Sequence, residues 1–106
     1  MFTTIRTYRV AAEHLDEAMH RVDVEFADEI ASVDGFMAYE VIQTGPAQIA
    51  TITTCRDEDT TMATNDAAAD WVRMALAEFD VERLGAFGGE VLVSRAAQEM
   101  LVPAHH

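Results

Sequence analysis

The sequence contains no lysine and one cysteine, and no apolar run approaches the ~20 residues that a membrane-crossing helix requires. A single thiol, Cys55, can form neither an internal disulfide nor a cysteine-based metal cluster, which suits a reducing compartment. The N-terminus, Met1-Phe2-Thr3-Thr4-Ile5-Arg6, lacks a basic region followed by an apolar stretch and a small-residue cleavage site, so export is not signalled and a cytoplasmic location is expected. Basic residues are scarce: seven arginines stand against 19 Asp and Glu, for a formal net charge of -12. Nucleic-acid binding draws its affinity from clustered Lys and Arg, so no nucleic-acid partner is expected, and no membrane partner either. No serine stands in a nucleophile motif. No glycine-rich phosphate loop occurs, because Gly85 and Gly88-Gly89 precede an expected strand rather than a helix. No histidine or cysteine is spaced to share a metal with His14 and His20, so no metal site is expected.

What remains is the balance of a globular protein: 50% hydrophobic residues and 25% charged over 106 residues. That length is read as one domain, with its core in residues 2–95 and a tail over 96–106. Residues 2–10 are rich in Thr, Ile, Tyr and Val and are expected as a first strand. From Ala12 to Val33 the period changes. Leu15, Met19, Val22, Phe26, Ile30 and Val33 recur at spacings of three and four, the apolar stripe of an amphipathic helix, and Asp34-Gly35 ends it. Phe36–Gln43 and Ala47–Cys55 read as a strand pair around the turn Thr44-Gly45-Pro46. Asp57-Glu58-Asp59 supplies a capping oxygen and negative charge to a second helix with Ala68, Val72, Ala75, Leu76 and Phe79 on its apolar face, its first turns open to interruption at Asn65-Asp66. Gly85 to Gly89 is expected to loosen the chain before a fourth strand over Glu90–Ser94, centred on Val91-Leu92-Val93, and a short helical turn is expected after Ala96.

The order βαββαβ predicts an α+β, ferredoxin-like fold with a four-stranded antiparallel sheet. Two helices cover one face of such a sheet. Val41-Ile42, Val91-Leu92-Val93 and the bulky Phe36, Met37 and Tyr39 place apolar groups on both faces, so the second face is expected to meet the sheet of another copy in a homodimer.

Over residues 2 to 95 the chain resembles the dimeric α/β-barrel superfamily and, within it, the antibiotic-biosynthesis-monooxygenase-like family. The stretch Val33-Asp34-Gly35-Phe36-Met37-Ala38-Tyr39-Glu40-Val41 carries the resemblance most clearly. It implies a ligand cavity between the sheet and its own helices, and an activity as a cofactor-independent monooxygenase on a small aromatic phenol, quinol or anthrone. Haem degradation is disfavoured. The haem-degrading branch uses an Asn on the first strand and a His after the second-helix Trp, whereas here Thr7-Tyr8 occupies the strand and no His follows Trp71 until His105. The acidic and aromatic pair common at the third strand's end is also missing; Thr53-Thr54-Cys55 stands there. No cofactor is expected. The alternative is a non-catalytic dimer of the same fold that binds a small ligand or regulates.

Five residues are singled out. Trp71 lies one position outside the second helix's stripe, where it either walls a cavity or seals the helix edge. Asn65 could hold a ligand oxygen or orient dioxygen; the competing role is a helix-breaking or capping Asn. These two are the catalytic candidates. Arg6 and Tyr8 share one face of a strand that should be covered on both sides. A covered guanidinium needs a partner, either a carboxylate such as Glu40 or Glu90, which is the commoner arrangement, or an anionic or phenolate ligand. Tyr39 could donate into the cavity or pack at the dimer interface. Arg6, Tyr8 and Tyr39 are the substrate-binding candidates. Cys55 is expected to be a buried, inert thiol, and His14 and His20 solvated.

Overall fold

The computed structural model of the chain describes residues 1–97. β1 (Phe2–Arg9) alternates strictly: Thr4, Arg6 and Tyr8 are buried against helices, while Thr3, Ile5 and Thr7 face the other way and stay partly exposed. This is the period of two that a pleated strand imposes. β2 (Phe36–Gly45) and β3 (Gln48–Cys55) form the expected antiparallel hairpin, with Ile49, Thr51, Thr53 and Cys55 turned to the helices. β4 closes an antiparallel sheet of order β2-β3-β1-β4, so β1 is central.

The fourth strand is not where the β-branched run suggests. β4 spans Glu82–Glu90 and takes in Gly85, Gly88 and Gly89, whereas Leu92 and Val93 lie beyond it, 90% and 83% exposed. An edge strand exposed along its whole length needs no apolar alternation, and glycine is required where backbones crowd. A Cβ on Gly88 would stand 2.8 Å from the Thr3 carbonyl oxygen. The short turn expected after Ala96 falls almost wholly outside the described residues.

The first helical segment packs on the β2 side of the sheet in four pieces: a 3-10 turn (Ala12–His14), α1 (Leu15–Arg21), a π-helical stretch (Val22–Phe26) and α2 (Ala27–Ala31). Its stripe is the expected one, with Leu15, Ala18, Val22, Phe26 and Ile30 buried. The segment ends at Ala31 with Ser32 as its cap, two residues before the expected Val33, and Gly35, at φ +92°, makes the left-handed step in the turn that leads into β2. The Asp57 side chain caps α3 (Glu58–Ala75) by accepting from the Thr60 amide at 2.7 Å. α3 runs through Asn65-Asp66 without a break, because Thr61, Thr64 and Ala68 bury one continuous face. Arg21 ties the two helical segments together: it donates to the Ala75 carbonyl at 3.0 Å, pairs with Glu78 and stacks over Phe79. No helix among the described residues is long and apolar enough to cross a membrane.

Candidate functional site

Between the sheet and the helices, β1, β2 and β3 contribute Arg6, Tyr8, Tyr39, Thr51 and Thr53 to the floor of a chamber whose roof is Met19, Val22, Phe26, Trp71 and Val72. Phe26 organises the aromatic side. Its ring lies 5.0 Å from that of Trp71 and meets Tyr39 edge-on at 5.6 Å, both within the favourable range for aromatic pairs. Val22 and Phe26 mark the two ends of the π-helical stretch, a departure from regular helix that often accompanies function. The enclosed space is about 30 Å³, room for about one or two waters and not for a ring.

Beside it lies a more open cleft of about 440 Å³, between α3 and the β1–β4 edge. The two spaces share Arg6, Tyr8, Val72, Leu76 and Val81 as a partition. The cleft, unlike the chamber, falls within the usual size of a small-molecule site.

Burial sets the acid-base character. It pushes the Tyr39 hydroxyl far above the ordinary tyrosine value, helped by neighbouring Tyr8 and opposed by Arg6. Tyr8 is pushed up as well, again by burial, with the Arg6 and Arg83 charges pulling the other way. Both phenols therefore stay protonated at neutral pH and act as donors. The Arg6 guanidinium sits 5.9 Å from the Tyr8 ring centre, and Arg6 is only 5% exposed.

The expected carboxylate partner for Arg6 is absent among the described residues. Glu40 pairs across the sheet with Ile52, which pairs with Ile5, and so lies on the opposite face; Glu90 pairs with the N-terminal ammonium at 3.5 Å. Face parity along β1 and β2 rules out the Glu40 pair, and the length of β4 carries Glu90 to its far end, opposite Phe2.

Arg6, Tyr8, Tyr39 and Trp71 converge on the chamber, and Asn65 does not. Asn65 stands six residues before Trp71, a rise of about 9 Å along a helix, and reaches the sheet at Thr4, donating from Nδ2 to Oγ1 at 3.3 Å. Its Oδ1 is buried without a partner among the described residues. Cys55 is buried, 3.8 Å from the Thr64 hydroxyl. His14 packs its ring against Phe79 while staying partly exposed, and His20 is exposed.

Sequence reasoning missed Arg83 and Phe26 as site residues. Phe26 sits in the stripe and gives no signal of a second role. Arg83 was legible only to a reading that started the last strand at Glu82, where it becomes the cross-strand partner of Tyr8.

No family model matches the chain, and no curated protein does. Solved structures do match in fold. A "putative antibiotic biosynthesis monooxygenase" from Deinococcus radiodurans superposes with a TM-score of 0.70 at 20% identity, covering 92% of this chain and 99% of that one. A dimeric ferredoxin-like protein from an uncultured marine organism gives 0.68 at 8% identity, covering 91% and 98%. A monooxygenase from the gene ActVA-Orf6 of Streptomyces coelicolor, in complex with the ligand nanaomycin D, gives 0.63 at 16% identity, covering 88% and 92%. At these identities the likeness establishes the fold: a ferredoxin-like chain of the architecture found in antibiotic-biosynthesis monooxygenases.

Proposed function

We propose that the chain is a cofactor-independent monooxygenase, assembled as a homodimer, that oxidises a small aromatic phenol, quinol or anthrone. The observation that supports the reading is an apolar aromatic chamber lined by a guanidinium that has no carboxylate partner among the described residues and by two protonated phenols. Such a site favours the anion of an acidic ring substrate, because fixed donors in a water-poor space act strongly on developing negative charge. The deprotonated substrate is itself the reductant. It passes electrons to dioxygen, one oxygen atom enters the substrate at the oxidised carbon, and the other leaves as water with the two hydrogens the substrate loses: both from the methylene carbon of an anthrone, one from a ring carbon and one from the hydroxyl of a phenol, or the two hydroxyl hydrogens of a quinol. The Tyr8 and Tyr39 hydroxyls donate to the ring oxygen's anion, Arg6 on the partition lends positive charge from the cleft side, and Trp71 with Phe26 flanks the ring. The fold shared with the monooxygenase that binds nanaomycin D supports the aromatic substrate class.

Because the chamber is too small for a ring, the substrate enters from the cleft and displaces the partition. Oxygen uptake with a panel of anthrones and quinols tests the reading directly. Consumption should fall in Trp71→Phe, which keeps apolar volume and loses the indole donor, and fall less in Asn65→Ala, whose side chain lies outside the chamber. If no member of the panel supports uptake, the reading fails, and a ligand-binding dimer takes its place.

The dimer rests on the sheet's outer face. Ile52, Ile5 and Phe87 form a continuous cross-strand row there, with Phe87 65% exposed on β4 and Ile42, on the opposite edge strand β2, also exposed. An apolar sheet face of this kind buries itself against a second copy by two-fold pairing.

A further inference from the structure

The cleft beside the chamber carries charge opposite to that of the molecule. Three of the seven arginines, Arg6, Arg73 and Arg83, line it in a protein of net charge -12, and Asp80 is the one acidic residue in that lining. Arg73 is already engaged by Asp70. Arg6 and Arg83 are not engaged: the arginine ion pairs among the described residues belong to Arg9, Arg21 and Arg73. Arg6, 5% exposed and without a carboxylate partner among the described residues, opens on the cleft, where its charge is compensated by water or by an anion that enters. Tyr8 and Arg83 are direct cross-strand partners, so both project from the helix-facing side of the sheet, and Arg6 follows on that side two residues along β1.

We propose that this cleft is a carboxylate site, in which Arg6 and Arg83 together hold the carboxylate of an aromatic acid whose ring lies on Val72, Leu76 and Val81. The charge count selects a monoanion. With Arg73 neutralised by Asp70, the charges of Arg6 and Arg83 against Asp80 leave one positive charge uncompensated, which matches a carboxylate rather than a doubly charged phosphate. The planar fork of arginine suits a carboxylate in shape as well. For the substrate class this rests on the oxygenase reading and narrows it to aromatic acids; as a binding site it stands without turnover.

The test is calorimetric titration of the full chain with 1-naphthoate and with its neutral counterpart 1-naphthalenemethanol, in the parent, Arg83→Gln, Arg83→Lys and Arg6→Gln. Arg83 is exposed on an edge strand, so its replacement leaves the fold in place, and thermal melting verifies this for Arg6→Gln. The parent should bind naphthoate at least about tenfold tighter than the alcohol. Arg83→Gln should remove about that factor for naphthoate and leave the alcohol unchanged, with Arg83→Lys recovering part of it. Equal affinity for acid and alcohol, absence of naphthoate binding, or a naphthoate affinity indifferent to Arg83→Gln overturns the site. Inorganic phosphate displacing naphthoate at lower concentration than acetate does would overturn its monoanion chemistry. Binding is read without dioxygen. Naphthoate discrimination without oxygen uptake from any ring substrate therefore removes the oxygenase reading alone, while oxygen uptake without that discrimination removes the carboxylate site alone.

Discussion

At the scale of single residues, position in the fold decides chemistry that residue type leaves open. Of the chain's two tyrosines Tyr8 is buried and Tyr39 partly buried, and desolvation raises both of their pKa values above the ordinary 10.0. The native state therefore keeps these protons at a pH where the unfolded chain, with ordinary tyrosines, has begun to release them. Proton linkage then lowers native stability as pH rises through and above the ordinary value, and leaves stability untouched below it. Phenolate absorbance followed during alkaline titration should appear together with loss of far-ultraviolet circular dichroism; a phenolate signal near the ordinary value with the fold intact would contradict the burial. Tyr39→Phe should make the alkaline limb shallower. Gly35 is a second case. Its φ of +92° disfavours any side chain, and a Cβ there would stand 2.9 Å from the Thr60 hydroxyl oxygen, beside the cap of α3. Gly35→Ala should destabilise by about 1–2 kcal/mol or more, measured by denaturant unfolding, and an unchanged midpoint would refute the strain.

At the scale of elements, β4 shows where pattern reading goes astray and why. Propensity favours Val91-Leu92-Val93 as the strand, yet the ladder with β1 is built by the glycine-bearing segment before it. Backbone hydrogen bonding and close approach, not side-chain burial, select that segment. Gly88 and Gly89 are neighbours with opposite surroundings: a Cβ on the first would meet the Thr3 carbonyl oxygen and the Phe2 ring, while a Cβ on the second meets nothing within 4 Å. Gly88→Ala should cost about 1–3 kcal/mol through overpacking, and Gly89→Ala should be neutral or slightly stabilising. Equal melting temperatures for the two variants would show the strand register to be wrong. The α3 cap has its own pH signature. Thr60 donates to the Asp57 carboxylate and holds its pKa below the ordinary value, so the cap's contribution is present above the ordinary carboxylate range and is lost as pH falls through the lowered pKa. Asp57→Asn should blunt that part of the acid limb.

At the scale of the whole molecule, two faces of one sheet carry different tasks. The helix-facing side buries polar residues, Thr4, Arg6, Thr51 and Thr53, around the chamber, and the outer side presents Ile5, Ile42, Ile52 and Phe87. Under the proposed two-fold assembly, Phe87→Glu should shift the protein from dimer to monomer in sedimentation or light scattering at micromolar concentration, since each subunit would bury an unpaired charge at the interface. Leu92→Glu, lying beyond the sheet, should leave the assembly as it is. A parent chain that is monomeric under the same conditions would remove the dimer from the proposal.

Periodicity carried the fold class, because burial on one side of a helix or strand imposes spacings that survive in a single sequence. The 3.6-residue stripe from Leu15 to Ile30, the Asp57 cap, the turn at Gly35 and the hairpin around Gly45-Pro46 were all legible for this reason. The sequence singled out Arg6, Tyr8, Tyr39 and Trp71 as candidates with the face of each left open, and the fold brings these four to the lining of one chamber. Only the tertiary structure decided which segment forms β4, that Asn65 reaches Thr4 instead of the chamber, and that Arg6 meets no carboxylate among the described residues. Each of these depends on strand order, register and the distance travelled along a helix, quantities set by pairing between segments far apart in the chain. Local pattern carries no record of them.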